Sequence, residues 1–276
     1  MKVAAYQAPL PATTSLEVLG LIRQQVDWCE SGGVEILCCP EAVLGGLADY
    51  AEHPADIAID VESGQLDTLL ATLASDKVVT ILGFTQIDRS GRLYNSAAVY
   101  HRGSVLGVYR KLHPAINHSV YQPGDQTPVF TISGLTFGIL ICNDSNFREP
   151  ARIMASQGAT ALFGPTNNGL PPSKIGPELV AETRNVDITR ATENRVYVIR
   201  ADVAGRTESL ISYGSSAIVD PNGMVLQSAR QLGPDLLVAE IDTAPRGYGE
   251  DGAIRETSMD WSNSSARVGP KKYGSS

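Results

Sequence analysis

FGILICND, Phe137 to Asp144, is the stretch from which the architecture of this 276-residue chain is read. Apolar residues run from Phe137 to Ile141, interrupted only by Gly138. A run this short and this uniformly apolar reads as a strand buried on both faces rather than as a helix. It stops at Cys142, Asn143 and Asp144, and a helical pattern begins near Arg148. The thiol is thereby placed at a strand-to-helix turn, where a side chain and several backbone N–H groups can point into one cleft. A buried strand cysteine is more often inert packing, so the reading of Cys142 depends on what else reaches that cleft.

Upstream of this stretch, Lys2 to Ala8 reads as a strand and Leu16 to Trp28 as a helix, with Thr13 to Ser15 as its caps. Val34 to Cys39 is a second apolar run, closed by Pro40 and Glu41. Leu66 to Leu73 has helical spacing, and Val78 to Gln86 is rich in β-branched residues and reads as a strand. Tyr94 to Tyr100 and Ser104 to Tyr109 form a hairpin about Arg102 and Gly103, with Lys111 directly after it. Val129 to Ile132 pairs with Leu135 to Ile141, the strand that delivers Cys142. Downstream come a helix at Ala151 to Ser156 and a strand at Thr160 to Phe163, ending in Gly164, Pro165, Thr166, Asn167 and Asn168. A long helical stretch, Ser173 to Asn194, follows. Strands are expected at Val196 to Ala201, Gly214 to Val219, Met224 to Gln227 and Leu236 to Ile241, with a turn at Pro221, Asn222 and Gly223. Mixed strand pairs with helices between them predict an α/β fold: a four-layer α-β-β-α sandwich of two mixed sheets with outer helices. Residues 1–242 are expected to form a single domain. Residues 243–276 are expected to form a polar tail on the surface or at a subunit interface.

Composition narrows the function. Hydrophobic residues make up 43% and charged residues 19%, which is ordinary for a globular chain and allows a large core. A net charge of -8 without any basic patch argues against nucleic acid as a partner. No apolar stretch is long enough to span a bilayer, and the N-terminus lacks a signal peptide's continuous apolar core, so no membrane partner and a cytoplasmic location are expected. The four cysteines, Cys29, Cys38, Cys39 and Cys142, are too irregularly spaced for a disulfide framework.

Glu41, Lys111 and Cys142 each follow an apolar strand, and strand ends on one edge of a sheet share a crevice. Their chemistry is coherent. A neighbouring ammonium favours the thiolate, the nucleophilic form of a cysteine. A partly buried carboxylate takes a proton from the thiol, gives one to a leaving amine and later takes one from water. Lys111 and the backbone N–H of Asn143 are candidate donors to a developing oxyanion. Taken singly, Glu41 reads equally well as a helix cap and Lys111 as a solvated loop lysine. Thr166, Asn167 and Asn168 are candidates for binding a substrate amide or hydroxyl, or an Asn-rich turn and nothing more. His113 and His118 lack a third ligand at sensible spacing, so no metal is expected. Gly214, Ser215 and Ser216 lack the elbow of serine hydrolases, and no phosphate-cradling loop is present.

These residues carry a resemblance to the carbon-nitrogen hydrolase (nitrilase) superfamily that covers roughly Lys2 to Asp242. VEILCCPEAVLGG resembles its Pro-Glu segment, with Glu41 at the general base. Tyr109 to His113 resembles its Tyr-Arg-Lys-x-His segment, with Lys111 at the catalytic lysine. Gly138 to Glu149 resembles its nucleophile motif, with Cys142 at the nucleophile, and Arg190, Ala191, Glu193 and Asn194 resemble its Arg-Ala-x-Glu-Asn helix end. The resemblance implies the same sandwich, a homodimer or higher homo-oligomer, no metal or organic cofactor, and a small amide, carbamoyl or nitrile substrate. It implies an amidohydrolase acting through a Cys thioester, with a nitrilase or a non-catalytic scaffold as alternatives. Two departures stand out. The interval LHPAINHSVYQPG lacks the second glutamate of many members, leaving Asn117 as the nearest stand-in, and Arg148 replaces a usual proline. Cys142, Asn143 and Asp144 resemble the N-carbamoyl-D-amino-acid hydrolases, but Ser145 and Asn146 stand where those carry arginines that grip a carboxylate, so that substrate class is not carried over.

Overall fold

The computed structural model describes residues 1–10, 15–115 and 118–243. The tail from residue 244 onward and Asn117 lie outside the described residues. In the first strand, β1 (Lys2–Leu10), Val3 and Ala5 face one core while Ala4, Tyr6 and Ala8 face another. This is the period-2 alternation of a strand covered on both sides. The second of those cores is closed by α1 (Ser15–Gly32), which contributes Val18, Leu19, Ile22, Val26 and Cys29 at helical spacing.

The strands that follow are β2 (Ile36–Cys38), β3 (Ile59–Asp60), β4 (Val79–Ile87), β5 (Leu93–His101) and β6 (Ser104–Arg110). The short helix α2 (Gln65–Leu70) sits between β3 and β4 and packs Leu66 and Leu70 beside α1. Next come β7 (Phe130–Ile132), β8 (Leu135–Ile139), α3 (Arg148–Ser156), β9 (Ala161–Pro165) and α4 (Glu178–Asn194). The chain then adds β10 (Tyr197–Ala201), β11 (Val203–Arg206), β12 (Ile211–Ser212), β13 (Ala217–Val219), β14 (Val225–Ser228) and β15 (Asp235–Glu240). One sheet runs β12-β11-β1-β2-β4-β5-β6, with β15 also on β1 and β3 on β4. The other runs β14-β13-β10-β9-β8-β7. Both are mixed, as the sequence leads one to expect.

Between the sheets, Val3, Ala5, Ile36 and Ile81 of the first meet Phe137, Ile139 and Phe163 of the second in one continuous core. Phe137 and Phe163 pack edge to face with centroids 5.1 Å apart, worth about 0.5–1.5 kcal/mol beyond area burial. On the far side of the second sheet α3 adds Ala151 and Met154, and α4 adds Ala191. Gly138, the residue that interrupts the apolar run, marks the approach of α3. A Cβ there would lie 2.3 Å from the Met154 sulfur. Among the described residues no helix is long and apolar enough to cross a membrane.

The differences from expectation have local causes. The helix expected from Ser173 begins at Glu178, because Pro177 has no N–H to give Ser173 O, the i to i−4 bond that an earlier start would need. The apolar run Val34 to Cys39 yields only the three-residue β2, because Val34 N is taken by Cys29 O at the end of α1. β11 and β12 are hidden by the polar run Gly205 to Glu208.

Candidate active site

Strand direction explains where the polar residues collect. β2 is parallel to β4, β4 is antiparallel to β5, and β5 is antiparallel to β6, so β6 runs with β2 and the two finish at the same edge. Glu41 follows β2 and Lys111 follows β6. Strand β5 runs the other way and brings its beginning, Asn95, to that edge, where Lys111 N donates to Asn95 O at 2.8 Å. In the second sheet β8, β9 and β10 are parallel, and Cys142, Thr166 to Asn168 and Asp202 follow their C-terminal ends. The two edges face each other across the sandwich, and Glu41 N donates to Thr166 O at 3.3 Å. Chain ends from both sheets thus converge as the crevice rule requires.

Glu41 and Lys111 are nearly sealed, at 1% and 4% exposure. Lys111 Nζ donates to Glu41 Oε1 at 2.5 Å, and Asn95 Nδ2 donates to the same oxygen at 2.8 Å. Glu41 Oε2 accepts from Asn167 N at 2.9 Å, its one bond among the described residues, which leaves a lone pair. Because Glu41 only accepts, Asn95 must turn Nδ2 toward it, and Asn95 Oδ1 is left buried with no partner among the described residues. Orphaning such an acceptor costs about 1–3 kcal/mol. The turn that carries Glu41 lies hard against β4. A Cβ on Gly83 would come within 2.3 Å of Ala42 N and 2.6 Å of Glu41 Cα.

Cys142 opens the turn after β8 with φ +46°, a left-handed conformation unusual for a side-chain-bearing residue. Its carbonyl accepts from Ser145 Oγ at 2.7 Å, and Ser145 O accepts from Arg190 Nε at 2.8 Å. Arg200 Nη2 donates to Ser145 Oγ at 3.0 Å and Arg200 Nη1 to Thr166 Oγ1 at 2.6 Å, while its guanidinium pairs with the buried Asp187. Thr166 is therefore fully buried behind the wall of the site. Asp144 ties the two sheets together. Its carboxylate accepts from Ile141 N (3.1 Å) on one side and from Leu112 N (3.1 Å), His113 N (2.8 Å) and Tyr109 Oη (2.8 Å) on the other. Asn143 Nδ2 adds a bond to His113 O at 3.1 Å. The turns that carry Lys111 and Cys142 are thereby locked to each other.

A cavity of about 410 Å³ is lined by Glu41, Lys111, Cys142, Asn143, Asn167 and Asn168, with Asn95 and Arg200 beside them. The size suits a small organic molecule. Leu47, Leu170, Leu179 and Val186 give it an apolar flank, and Asp49, Tyr50 and Glu182 stand toward the outside. Burial pushes the Cys142 thiol up to about 12, and Glu41 adds to that, against the opposing pull of Lys111 and Arg200. Lys111 does favour the thiolate, as expected from sequence, but it is outweighed and the resting group is the thiol. Burial alone would lower the Lys111 pKa, yet Glu41 and then Cys142 more than offset it, so the ammonium is held above the ordinary lysine value. A protonated thiol and a carboxylate oxygen with a lone pair to spare thus share one cavity.

Of the expected residues, Glu41, Lys111, Cys142, Asn143, Asn167 and Asn168 come together on the cavity wall. Asn95, Asp144, Arg200 and Asp202 were not singled out by the sequence. Asp144 sits within the quoted stretch, so position alone offered a signal for it, whereas Arg200 reads as one charge in the strand YVIRA.

Comparison with known proteins gives an independent view. The family model described as carbon-nitrogen hydrolase matches residues 2–246. The chain is 32% identical over 213 residues to a protein named nitrilase from Pyrococcus abyssi, covering 76% of this chain and 78% of that one. It is 31% identical to an (R)-stereoselective amidase from a Pseudomonas species, covering 72% and 70%. Among solved structures it superimposes on a variant of the Nesterenkonia AN1 amidase, from the nitrilase superfamily, with a TM-score of 0.72 at 24% identity, covering 89% of this chain and 91% of that one.

Proposed function

This chain belongs to the carbon-nitrogen hydrolase family, a hydrolase of the nitrilase superfamily, and from that premise we propose that it cleaves the non-peptide carbon-nitrogen bond of a small amide or N-carbamoyl compound through a Cys142 thioester. Cys142 Sγ attacks the carbonyl carbon while its proton passes to Glu41, and the carbonyl π electrons move to oxygen. Lys111 and Asn143 N hold that oxyanion. The carbon-nitrogen bond then breaks as Glu41 returns the proton to nitrogen, and ammonia or an amine leaves. Glu41 next takes a proton from water, whose oxygen attacks the thioester carbon; the carbon-sulfur bond breaks to release the acid, and Glu41 returns the proton to Cys142 Sγ.

The observation that carries this reading is the state of Glu41. One of its oxygens is filled by Lys111 and Asn95, the other retains a lone pair, and the nearby thiol is held in its protonated form. A carboxylate oxygen with a free lone pair beside a thiol that rests protonated suits concerted proton transfer. Charge on the cavity wall refines the substrate class. Arg200 is committed to Asp187 and Lys111 to Glu41, whereas Asp49 and Glu182 have no ion-pair partner among the described residues. With no guanidinium among the described residues of its wall free to clamp a carboxylate, the cavity suits neutral or cationic amides.

The test is ammonia release from a panel of primary amides, ureido compounds and nitriles, with each neutral amide paired with a carboxylate-bearing analogue. The expected outcome is release from amides or ureido compounds, a kcat/KM at least about tenfold lower for the anionic analogue, and no release by C142A. Release from nitriles alone would move the reading to a nitrilase. Absence of turnover on the whole panel would favour a scaffold.

A further inference from the structure

Asp202 is the single residue at which the chain passes from β10 in one sheet to β11 in the other, and it is fully buried. Five hydrogen bonds converge on its carboxylate. Oδ1 accepts from Asn168 N at 3.0 Å and Val203 N at 2.8 Å. Oδ2 accepts from Ser215 Oγ at 2.7 Å, Ser215 N at 3.0 Å and Asn168 Nδ2 at 3.1 Å. Every one of these partners is a donor, so the group serves as an acceptor alone.

That fixes the orientation of the Asn168 side-chain amide, which sequence and size leave free. Nδ2 must face Asp202, with Ser215 Oγ as its second acceptor at 3.2 Å, and Oδ1 must face the cavity. There it receives the Cys142 thiol, with Sγ 3.9 Å away. When Sγ bonds to a carbonyl carbon and its proton goes to Glu41, Oδ1 loses that donor. The nitrogen attached to the same carbon can supply another.

We infer that Asn168 Oδ1 accepts the N–H of the scissile group, and that Asp202 is the positioning residue that keeps this oxygen turned toward it, so that the site selects primary amides and ureides over esters and tertiary amides. The inference rests on the hydrolase reading above and adds the identity of the leaving group. A site built to accept an N–H discriminates strongly against an analogue that lacks one, because its acceptor is then left unpaired. As the carbon-nitrogen bond breaks, the departing nitrogen takes its proton from Glu41 and keeps its own N–H on Asn168.

The experiment compares the best amide from the panel with the methyl ester of the same acyl group, using the full-length protein and the N168L and D202N variants. N168L cannot accept a hydrogen bond. It is expected to lower kcat/KM for the amide by about 10- to 100-fold more than for the ester, so the amide-to-ester ratio collapses. Iodoacetamide labelling of Cys142 in N168L is expected to persist, showing an intact nucleophile. D202N frees the Asn168 amide to flip and shifts the ratio in the same direction. Should D202N fail to fold, N168L decides alone. An unchanged amide-to-ester ratio in N168L overturns this inference while leaving the hydrolase reading intact. A wild-type protein that releases ammonia from no amide and no ureido compound overturns both.

Discussion

Glu41 and Lys111 act on the Cys142 thiol with opposite sign, the carboxylate raising its pKa and the ammonium lowering it. Turnover and simple reactivity must therefore separate on substitution. E41Q removes the negative charge and leaves Lys111, so the thiol falls from about 12 and alkylation of Cys142 by iodoacetamide at pH 8 is expected to accelerate. Amide turnover in the same variant is expected to fall by about 10²- to 10⁴-fold, the usual contribution of a general acid-base. K111M should slow both. Time-resolved mass spectrometry of the peptide bearing Cys142 checks the signs, and slower labelling of E41Q would contradict the arrangement described. At this scale the sequence was legible where a polar residue ends an apolar run, which is how Glu41, Lys111 and Cys142 stood out. It was opaque where the meaning of a side chain lies in a distant partner. Nothing local tells that Asp202 holds Asn168 or that Asn95 faces Glu41, because those bonds span 34 and 54 positions.

Between strand β4 and the turn after β2 there is room for a hydrogen atom and nothing larger. G83A places a methyl 2.3 Å from Ala42 N and 2.6 Å from Glu41 Cα, both backbone atoms. Overpacking of this kind costs about 1–3 kcal/mol. The expected result is a lower Tm together with a loss of turnover beyond what the lost stability explains, since Glu41 itself is displaced. G20A is the control. Gly20 lies on α1 with nothing within 4 Å of a new Cβ, so alanine there is expected to raise stability by about 0.5–1 kcal/mol. The elements themselves were largely legible, because hydrophobic period distinguishes β1 from α1 without any tertiary knowledge. Element ends were less so. The start of α4 is set by prolines and the brevity of β2 by a bond from α1, and neither leaves a mark on periodicity.

Over the whole molecule, the other three thiols give stability a particular dependence on pH. Cys29, Cys38 and Cys39 are sealed in the cores. Burial pushes Cys29 up to about 12 and holds Cys38 and Cys39 above the ordinary thiol value. In the unfolded chain they lose their protons near 9.0. Between that pH and the folded values the native state binds more protons, so stability is fully present below about 9 and is lost as pH rises through the window. The slope is up to about 1.4 kcal/mol per pH unit for each thiol. Urea unfolding at pH 8 and pH 10 should show this loss, and C29A should make the pH dependence shallower. A flat profile would mean that these thiols are not held apart from water. The sandwich also divides its chemistry. The Glu41–Lys111 ion pair belongs to one sheet and the Cys142 sulfur to the other, and the Asp144 carboxylate fastens them only where the sheets meet. A chain emerging during synthesis has the first sheet's Glu41 and Lys111 well before Cys142, and even a finished second sheet carries a sulfur with no proton acceptor beside it. On the proposed mechanism, chemical competence is thus a property of closure, and a partly folded molecule is expected to stay harmless toward the amides around it.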